Sequence, residues 1–248
     1  MRALIDADSI IYKYASINQD VIEWEEGATS VFTNLRDAKD GVERHIQTII
    51  RNSGAKGAPL LVLSPAKNFR YDVLSTYKHN RKPSTHPLEL LMPLKKWMYE
   101  KYNTHVPCYV EADDYCVWRM LQEPRKWVLC HIDKDLDQAD GKHYNYNTER
   151  KYKITEREAE FKFYDQTLTG DTSDGYKGCP NIGAKRSALI LNDKEDKRSM
   201  WERVRDTYTS KGLNEDDALQ QARVARMLTP DEWDGECNIK LWRPYDSN

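Results

Sequence analysis

Acidic side chains directly follow apolar runs in two parts of this chain, at 106–110 and at 127–130. The carboxylates concerned are Glu111, Asp113, Asp114, Asp133 and Asp135. Short apolar runs with β-branched residues are typical of buried strands, so both clusters are predicted at strand ends. Two like charges about 4 Å apart repel by roughly 4 kcal/mol at an effective dielectric constant of 20. Hard divalent cations such as Mg²⁺ prefer carboxylate oxygens, so the pattern predicts a metal site.

Three more carboxylates extend this hypothesis. Asp6 ends the apolar run 3–5, and Asp171 and Asp174 lie three apart in the glycine-flanked turn 170–175. Taken alone, Asp6 could be a turn or helix cap, and helix dipoles favour single carboxylates at helix starts. Neither explanation accounts for three carboxylates within the four residues 111–114.

The segment from Ser64 to Pro87 combines positive charge with aromatic rings. Asp72 is its one acidic residue. The basic and aromatic residues are Lys67, Phe69, Arg70, Tyr71, Tyr77, Lys78, Arg81 and Lys82. Such a mixture suits a phosphate backbone and unstacked bases, although a solvated basic loop has the same composition.

A glycine-rich turn follows the last acidic pair. Gly178 and Gly183 permit tight turns, and Gly183 precedes a predicted helix that carries Lys185 and Arg186 near its start. Backbone N–H groups at a helix start bind phosphate, and the two cations add charge. This turn is weak evidence by itself.

Strands and helices alternate up to about residue 165, and the rest is mostly helical. This order predicts an α/β fold with a parallel sheet, in which ligands bind beyond the carboxyl ends of the strands. Asp6, Ser64, Glu111 and Asp133 should therefore converge. Residues 143–146 are predicted in an edge hairpin, and Thr155 and Glu158 in a capping box.

Composition narrows the class of protein. The chain has 248 residues, a net charge of −2 and five cysteines with no CxxC pair. We expect reduced cysteines in the core of a cytoplasmic protein. We find no apolar run long enough to cross a membrane and no signal peptide. Bulk charge favours neither a nucleic acid nor an acidic partner.

Five motifs in order resemble those of the 5′-nuclease family, which includes bacteriophage 5′→3′ exonucleases, flap endonucleases and the 5′-nuclease domains of bacterial DNA polymerases. The motifs are Ile5-Asp6, Tyr77-Lys78-x-x-Arg81, Glu111-x-Asp113-Asp114, Asp133-Lys134-Asp135-Leu136, and Gly170-Asp171-Thr172-Ser173-Asp174 with its glycine turn. The resemblance covers roughly 1–192. The ending Leu241-Trp242-Arg243-Pro244 looks most like that of small podovirus-type phage exonucleases.

The resemblance implies a PIN-like, mostly parallel twisted sheet flanked by helices. It implies a nuclease core at 1–165 with a helical arch over the active site at about 64–90. It also implies a helical DNA-binding region at 166–248, with a helix–three-turn–helix module at about 170–192.

The resemblance further implies two Mg²⁺ or Mn²⁺ ions and site residues. The metal ligands would be Asp6, Glu111, Asp113, Asp114, Asp133, Asp135, Asp171 and Asp174. Lys78 and Arg81 would hold the scissile phosphate beside Asp133. The DNA contacts would be Lys67, Arg70, Tyr77, Lys78, Arg81, Lys82, Gly178, Gly183, Lys185 and Arg186.

The implied substrate is duplex DNA with 5′ ends, nicks or flaps, or an RNA–DNA hybrid. A K⁺ ion at the helix–three-turn–helix, a monomer and the host cytoplasm complete these expectations. Ser64 departs from the family, which usually has an aspartate there. A DNA-binding protein with little turnover is therefore the alternative, and an RNA-directed nuclease of the related PIN fold is a third reading.

Overall fold

The computed structural model describes residues 1–81, 85–191 and 196–244. Its strands are β1 (Arg2–Asp6), β2 (Gln19–Glu23), β3 (Thr29–Thr33), β4 (Leu60–Val62), β5 (Thr104–His105), β6 (Trp127–His131), β7 (Gly141–Asn145) and β8 (Arg150–Ile154). Six of them form one sheet in the order β5-β4-β1-β6-β7-β8. Every pair in it is parallel except β7 with β8, while β2 and β3 form a separate antiparallel hairpin.

The helices of the described residues are α1 (Asp8–Ile17), α2 (Leu35–Ser53), α3 (Arg70–Val73), α4 (Leu91–Lys101), α5 (Ala112–Gln122), α6 (Glu156–Thr169), α7 (Ala184–Ile190), α8 (Lys197–Ser210) and α9 (Glu215–Ala225). Side-chain caps set several of their starts. Thr155 and Glu158 form the predicted capping box of α6, which satisfies backbone donors that a helix start leaves unpaired.

Apolar side chains cover both faces of the sheet. One face packs against α1, α2 and α4. The other packs against α5 and the segment that carries Trp233. A third cluster joins α6, α8 and α9 around Trp201 and Trp242. The α/β class, the mostly parallel sheet and the edge hairpin β7–β8 are as the sequence predicts.

The run 106–110 is not the strand that its composition predicts. The strand in this region is β5, which ends at His105 and lies at the sheet edge. Pro107 has no backbone N–H to give to a sheet, and Tyr109 has a φ of 61°, which a strand does not accommodate. Glu111 is therefore the N-cap residue of α5 and does not end a strand.

The expectation of reduced cysteines is wrong for one pair. Cys108 and Cys237 form a disulfide with a Cα–Cα distance of 5.6 Å, whereas Cys116, Cys130 and Cys179 are free and buried. The two half-cystines are 129 residues apart in sequence, so no local pattern could have paired them. No helix within the described ranges has the length and apolar character needed to cross a bilayer.

Two glycines bring the end of α6 against the turn that follows the acidic loop. A Cβ at Gly170 would lie 2.4 Å from Gly178 N, and a Cβ at Gly178 would lie 2.4 Å from Gly170 N. Both residues also have positive φ, 66° and 64°. Backbone that approaches this closely excludes any side chain at either position.

We predict that Gly178→Ala lowers the free energy of unfolding by about 2–5 kcal/mol. The alanine would have to adopt a left-handed backbone conformation, and its Cβ would clash with the backbone of Gly170. Urea unfolding followed by circular dichroism would measure it. Gly183→Ala is the control, because Gly183 has a φ of −106° and open space around its Cβ position, so it should cost less than about 1 kcal/mol. Equal losses in the two variants would contradict this role of Gly178.

Candidate active site

The carboxyl ends of two adjacent strands carry the first carboxylates of the site. Asp6 is the last residue of β1, where it pairs in register with Val62. Asp133 follows β6 and caps a short 3₁₀ turn at 134–138, accepting a hydrogen bond from the backbone N–H of Asp135 at 2.9 Å. Since β1 and β6 are parallel neighbours in the sheet, the fold places these side chains together at the edge formed by the carboxyl ends of the strands.

The first turn of α5 lies over the same edge. Glu111 caps this helix, and Asp113 lies within its first turn. The pKa of Asp113 is raised well above its usual value by burial, then by the neighbouring charges of Asp6, Asp133 and Glu111. Such mutual effects require proximity, so these four carboxylates lie near one another at this end of the sheet.

The acidic loop 171–174 closes the other side. Ser173 donates to Asp171 through its backbone N–H at 2.7 Å, and Lys134 Nζ lies 3.4 Å from the Asp171 carboxylate. The pKa of Asp133 is raised by burial, while the Asp135 N–H lowers it and the charges of Asp174 and Asp171 raise it. Both carboxylates of the loop therefore act on Asp133.

The protein balances only part of the negative charge in this site. Burial, followed by the charge of Asp8, raises the pKa of Asp6 to about 8. Burial and Asp133 raise the pKa of Asp135 to about 7, and one oxygen of Asp135, Oδ1, is buried without a donor. Within the described ranges, no salt bridge involves Asp6, Asp113, Asp133 or Asp135. An oxygen-only donor set with raised pKa values fits a hard divalent cation.

Asp114 does not belong to this donor set, contrary to the prediction. Its two carboxylate oxygens receive two hydrogen bonds from the Arg70 guanidinium, at 2.6 and 2.8 Å. Backbone N–H groups of Glu111 and Leu228 also donate to them, at 3.1 and 3.3 Å. With 0% exposure for Asp114 and 1% for Arg70, this is a buried ion pair that anchors α5.

Arg70 and Tyr77 are likewise too buried for the predicted DNA contacts. Tyr77 is 2% exposed, and its hydroxyl donates toward Glu111 at 2.8 Å and Asp174 at 3.0 Å. Asn68 donates to Glu111 as well, at 3.0 Å. Sequence reasoning missed Asn68, and it misread Tyr77 as a base-stacking residue because composition does not show which side of a segment is buried.

Lys78 and Arg81 lie at the border of the carboxylate site. Lys78 Nζ pairs with Glu111 Oε1, and its backbone N–H donates to Asp174 O at 2.8 Å. Arg81 is more exposed and pairs with Asp174 Oδ1 at 2.6 Å. Burial raises the pKa of Glu111, but the charges of Arg70 and Lys78 outweigh this effect, and the net result is a lowered pKa.

The basic segment forms α3 and a series of turns in the part of the chain that the structure describes, so a long arch helix is not seen there. Lys67 is exposed, and Lys82 lies outside the described residues. In the glycine turn, Gly178 is buried against Gly170 and cannot contact DNA. Lys185 and Arg186 are exposed on α7, next to an open Gly183.

Ser64 has a structural use that its type alone did not indicate. Its hydroxyl accepts a hydrogen bond at 2.9 Å from the backbone N–H of Ala112, at the start of α5. Its own N–H donates to Asp8 Oδ2, also at 2.9 Å. Asp8 therefore lies next to the position where the family usually has an aspartate, and its charge acts on Asp6.

We predict that Asp6→Asn stabilises the metal-free protein, and increasingly so as pH rises. Because the folded-state pKa of Asp6 is raised to about 8, its stabilising contribution is full below about pH 4 and is lost as pH rises through about 8. Denaturant unfolding in EDTA should show a gain of at least about 1 kcal/mol at pH 8 and almost none at pH 4. Asp20→Asn, an exposed control, should leave the slope unchanged. A gain that is independent of pH would contradict this electrostatic account.

The sequence and the fold were compared with those of known proteins. No family model matches the chain. It is 24% identical to the exonuclease of Escherichia phage T7 over 97% of this chain and 93% of that protein. It is also 24% identical to the exodeoxyribonuclease of Enterobacteria phage T3, over 97% of this chain and 92% of that protein.

Among solved structures, a flap endonuclease of bacteriophage T5, crystallised with DNA and metal ions, superimposes with a TM-score of 0.62. The match is 17% identical in sequence and covers 90% of this chain and 88% of that one. The likeness confirms the PIN-like fold class. By sequence and by fold, this chain is thus similar to the phage 5′-nucleases, as its five motifs predicted.

Proposed function

We propose that this chain is a metal-dependent 5′→3′ exonuclease that also cuts flaps, hydrolysing phosphodiester bonds of DNA and of RNA–DNA hybrids. The observation that carries the proposal is the convergence of seven carboxylates at one sheet edge, four of which have no salt bridge within the described residues. The carboxylates are Asp6, Glu111, Asp113, Asp133, Asp135, Asp171 and Asp174. The exonucleases of phages T7 and T3 and the DNA-bound T5 flap endonuclease support this substrate class.

Two Mg²⁺ or Mn²⁺ ions would occupy this edge. Asp6, Glu111 and Asp113 would serve one region, and Asp133 and Asp135 with the acidic loop would serve the other. Bound there, the ions would activate a water molecule and stabilise the attacking and leaving oxygens. Mg²⁺ keeps several waters, so some of these carboxylates would hold metal-bound water and not the metal itself.

The protein's own cations would act on the phosphate. Lys78 and Arg81 pair with Glu111 and Asp174 at the rim of the site, where they can turn to the non-bridging oxygens of the scissile phosphate. There they would offset negative charge that grows during hydrolysis. Tyr77 and Asn68 would hold Glu111 in place while Lys78 changes partner.

Binding of the DNA would also depend on residues that lie away from the scissile phosphate. Lys185 and Arg186 on α7, and Lys67 before α3, are exposed for contact with backbone phosphates. Because such contacts carry little sequence information, cleavage should depend on DNA structure and on salt more than on sequence. We include in this proposal a K⁺ ion at the helix–three-turn–helix module of about 170–192, action as a monomer, and the division of the chain into 1–165 and 166–248.

The alternative, a DNA-binding protein with little turnover, is not favoured. It was motivated by Ser64, but the hydroxyl of Ser64 caps α5 while Asp8 supplies a carboxylate beside it. The matched phage relatives are also named as exonucleases. An RNA-directed PIN-type nuclease would not need the glycine turn, and a preference for single-stranded RNA over duplex DNA ends would indicate it.

We predict that Asp133→Asn and Asp135→Asn each reduce cleavage by at least about a hundredfold, because a catalytic metal contributes several kcal/mol to the transition state. The assay is digestion of 5′-labelled blunt, nicked and flap DNA with Mg²⁺ and Mn²⁺ in parallel. DNA binding, followed by fluorescence anisotropy in EDTA, should remain within about threefold of the unchanged protein, since one lost negative charge affects few of the phosphate contacts.

Asp20→Asn is the control, because it removes the same charge from an exposed position on β2. It should leave cleavage unchanged. Failure of the unchanged protein to cut any 5′ end or flap with either metal would overturn the proposed function.

A further inference from the structure

A second cluster of potential metal ligands lies behind the carboxylate edge. His131 is the last residue of β6, His143 lies on β7, and Asp137 lies in the 3₁₀ turn between them. Their ligand atoms are all within 4.8 Å of one another. Both imidazoles are buried. The proposed nuclease mechanism uses none of these three side chains.

Hydrogen bonds fix which nitrogen of each ring carries the proton. His131 Nδ1 lies 2.5 Å from the carbonyl oxygen of Asp133, and His143 Nε2 lies 2.9 Å from that of Ala139. Carbonyl oxygens only accept, so both of these nitrogens must be N–H groups. In neutral imidazoles the two remaining nitrogens are then lone-pair acceptors.

These two acceptors face each other. His131 Nε2 and His143 Nδ1 are 2.9 Å apart. The hydroxyl of Tyr152 lies 2.8 Å from Asp137 Oδ1 and 3.3 Å from His131 Nε2, so its single proton can satisfy only one of them. Two buried lone pairs at this distance repel each other, and a shared proton or a metal ion at this place would relieve that repulsion.

The ligand set matches a transition metal of the zinc type. Zinc takes imidazole nitrogen at about 2.0–2.1 Å and carboxylate oxygen at about 2.0–2.2 Å in tetrahedral sites, which places neighbouring ligand atoms roughly 3.3–3.5 Å apart. The separations here are 2.9 Å between the imidazoles and 3.9 Å from His143 Nδ1 to Asp137 Oδ1, and all three ligand atoms lie within 4.8 Å of one another, so small side-chain shifts, chiefly of Asp137, would close the site around an ion. A metal-bound histidine commonly donates its other N–H to a carbonyl, as both do here.

We propose that His131, His143 and Asp137 bind one Zn²⁺-type ion, with the Tyr152 hydroxyl as the fourth ligand. The ion would be structural, since four protein ligands leave no open position. It would join the 3₁₀ turn 134–138 to the hairpin β7–β8. Because His131 also bonds the backbone of Asp133, the ion would fix the strand end on which the carboxylate site is built.

The test is zinc binding by the full chain in excess Mg²⁺, which occupies oxygen-only sites but competes poorly for imidazole nitrogen. Isothermal titration should show one Zn²⁺ per chain. His143→Gln should weaken it by more than about a hundredfold, because even residues that only support a ligand cost about 10–100-fold. Bound Co²⁺ should give a tetrahedral visible spectrum that this variant lacks. His105→Gln is the matched control, since His105 stacks on Tyr115 outside the cluster, and it should bind zinc normally.

Asp137→Asn keeps both imidazoles and provides a second variant should His143→Gln not fold. It should also weaken zinc binding, and Zn²⁺ should raise the melting temperature of the unchanged protein but not of this variant. Absence of zinc uptake in excess Mg²⁺, or uptake unchanged in both variants, would overturn the proposal and indicate a shared proton. Because cleavage is not measured, the result is independent of the proposed nuclease activity.

Discussion

Repulsion among carboxylates at one edge of the sheet is the constraint on which the rest of this structure depends. Burial and like charge raise the pKa values of Asp6, Asp113 and Asp135, so the folded chain holds these groups against their tendency to ionise. A fold gains nothing in stability from such an arrangement. The cost is understandable where cations are meant to bind, since functional sites commonly concentrate groups with perturbed pKa values.

The surrounding contacts hold the edge together by keeping other charges paired. Arg70 and Asp114 form a buried bidentate pair between α3 and α5, and Tyr77 bridges Glu111 to Asp174. Lys78 contacts the same two residues, Glu111 through its side chain and Asp174 through its backbone N–H. The basic segment thus supports the site from inside the fold, while Lys67 and Arg81 remain exposed.

The sequence predicted the features that depend on neighbouring residues, such as strand ends and helix caps. The apolar runs that became β1 and β6 end close to Asp6 and Asp133, so the convergence of these carboxylates followed from parallel topology. The run 106–110 was wrongly predicted as a strand, because the prediction gave its apolar composition more weight than Pro107. Pairings across long separations were out of reach. Arg70 and Asp114 are 44 residues apart, and the half-cystines 129. The alternation around His143 predicted a hairpin, but not that this residue would face His131.

The most direct test of the central claim is proton release when Mg²⁺ or Mn²⁺ binds. Carboxylates with pKa values near 7 and 8 hold protons at neutral pH, and metal binding must displace those protons. Isothermal titration at pH 7 in buffers of different ionisation enthalpy measures their number. The account predicts release of about one proton or more per chain at pH 7, and a smaller number as the pH rises through 8. Metal binding without proton release at pH 7, or no binding at all, would contradict it.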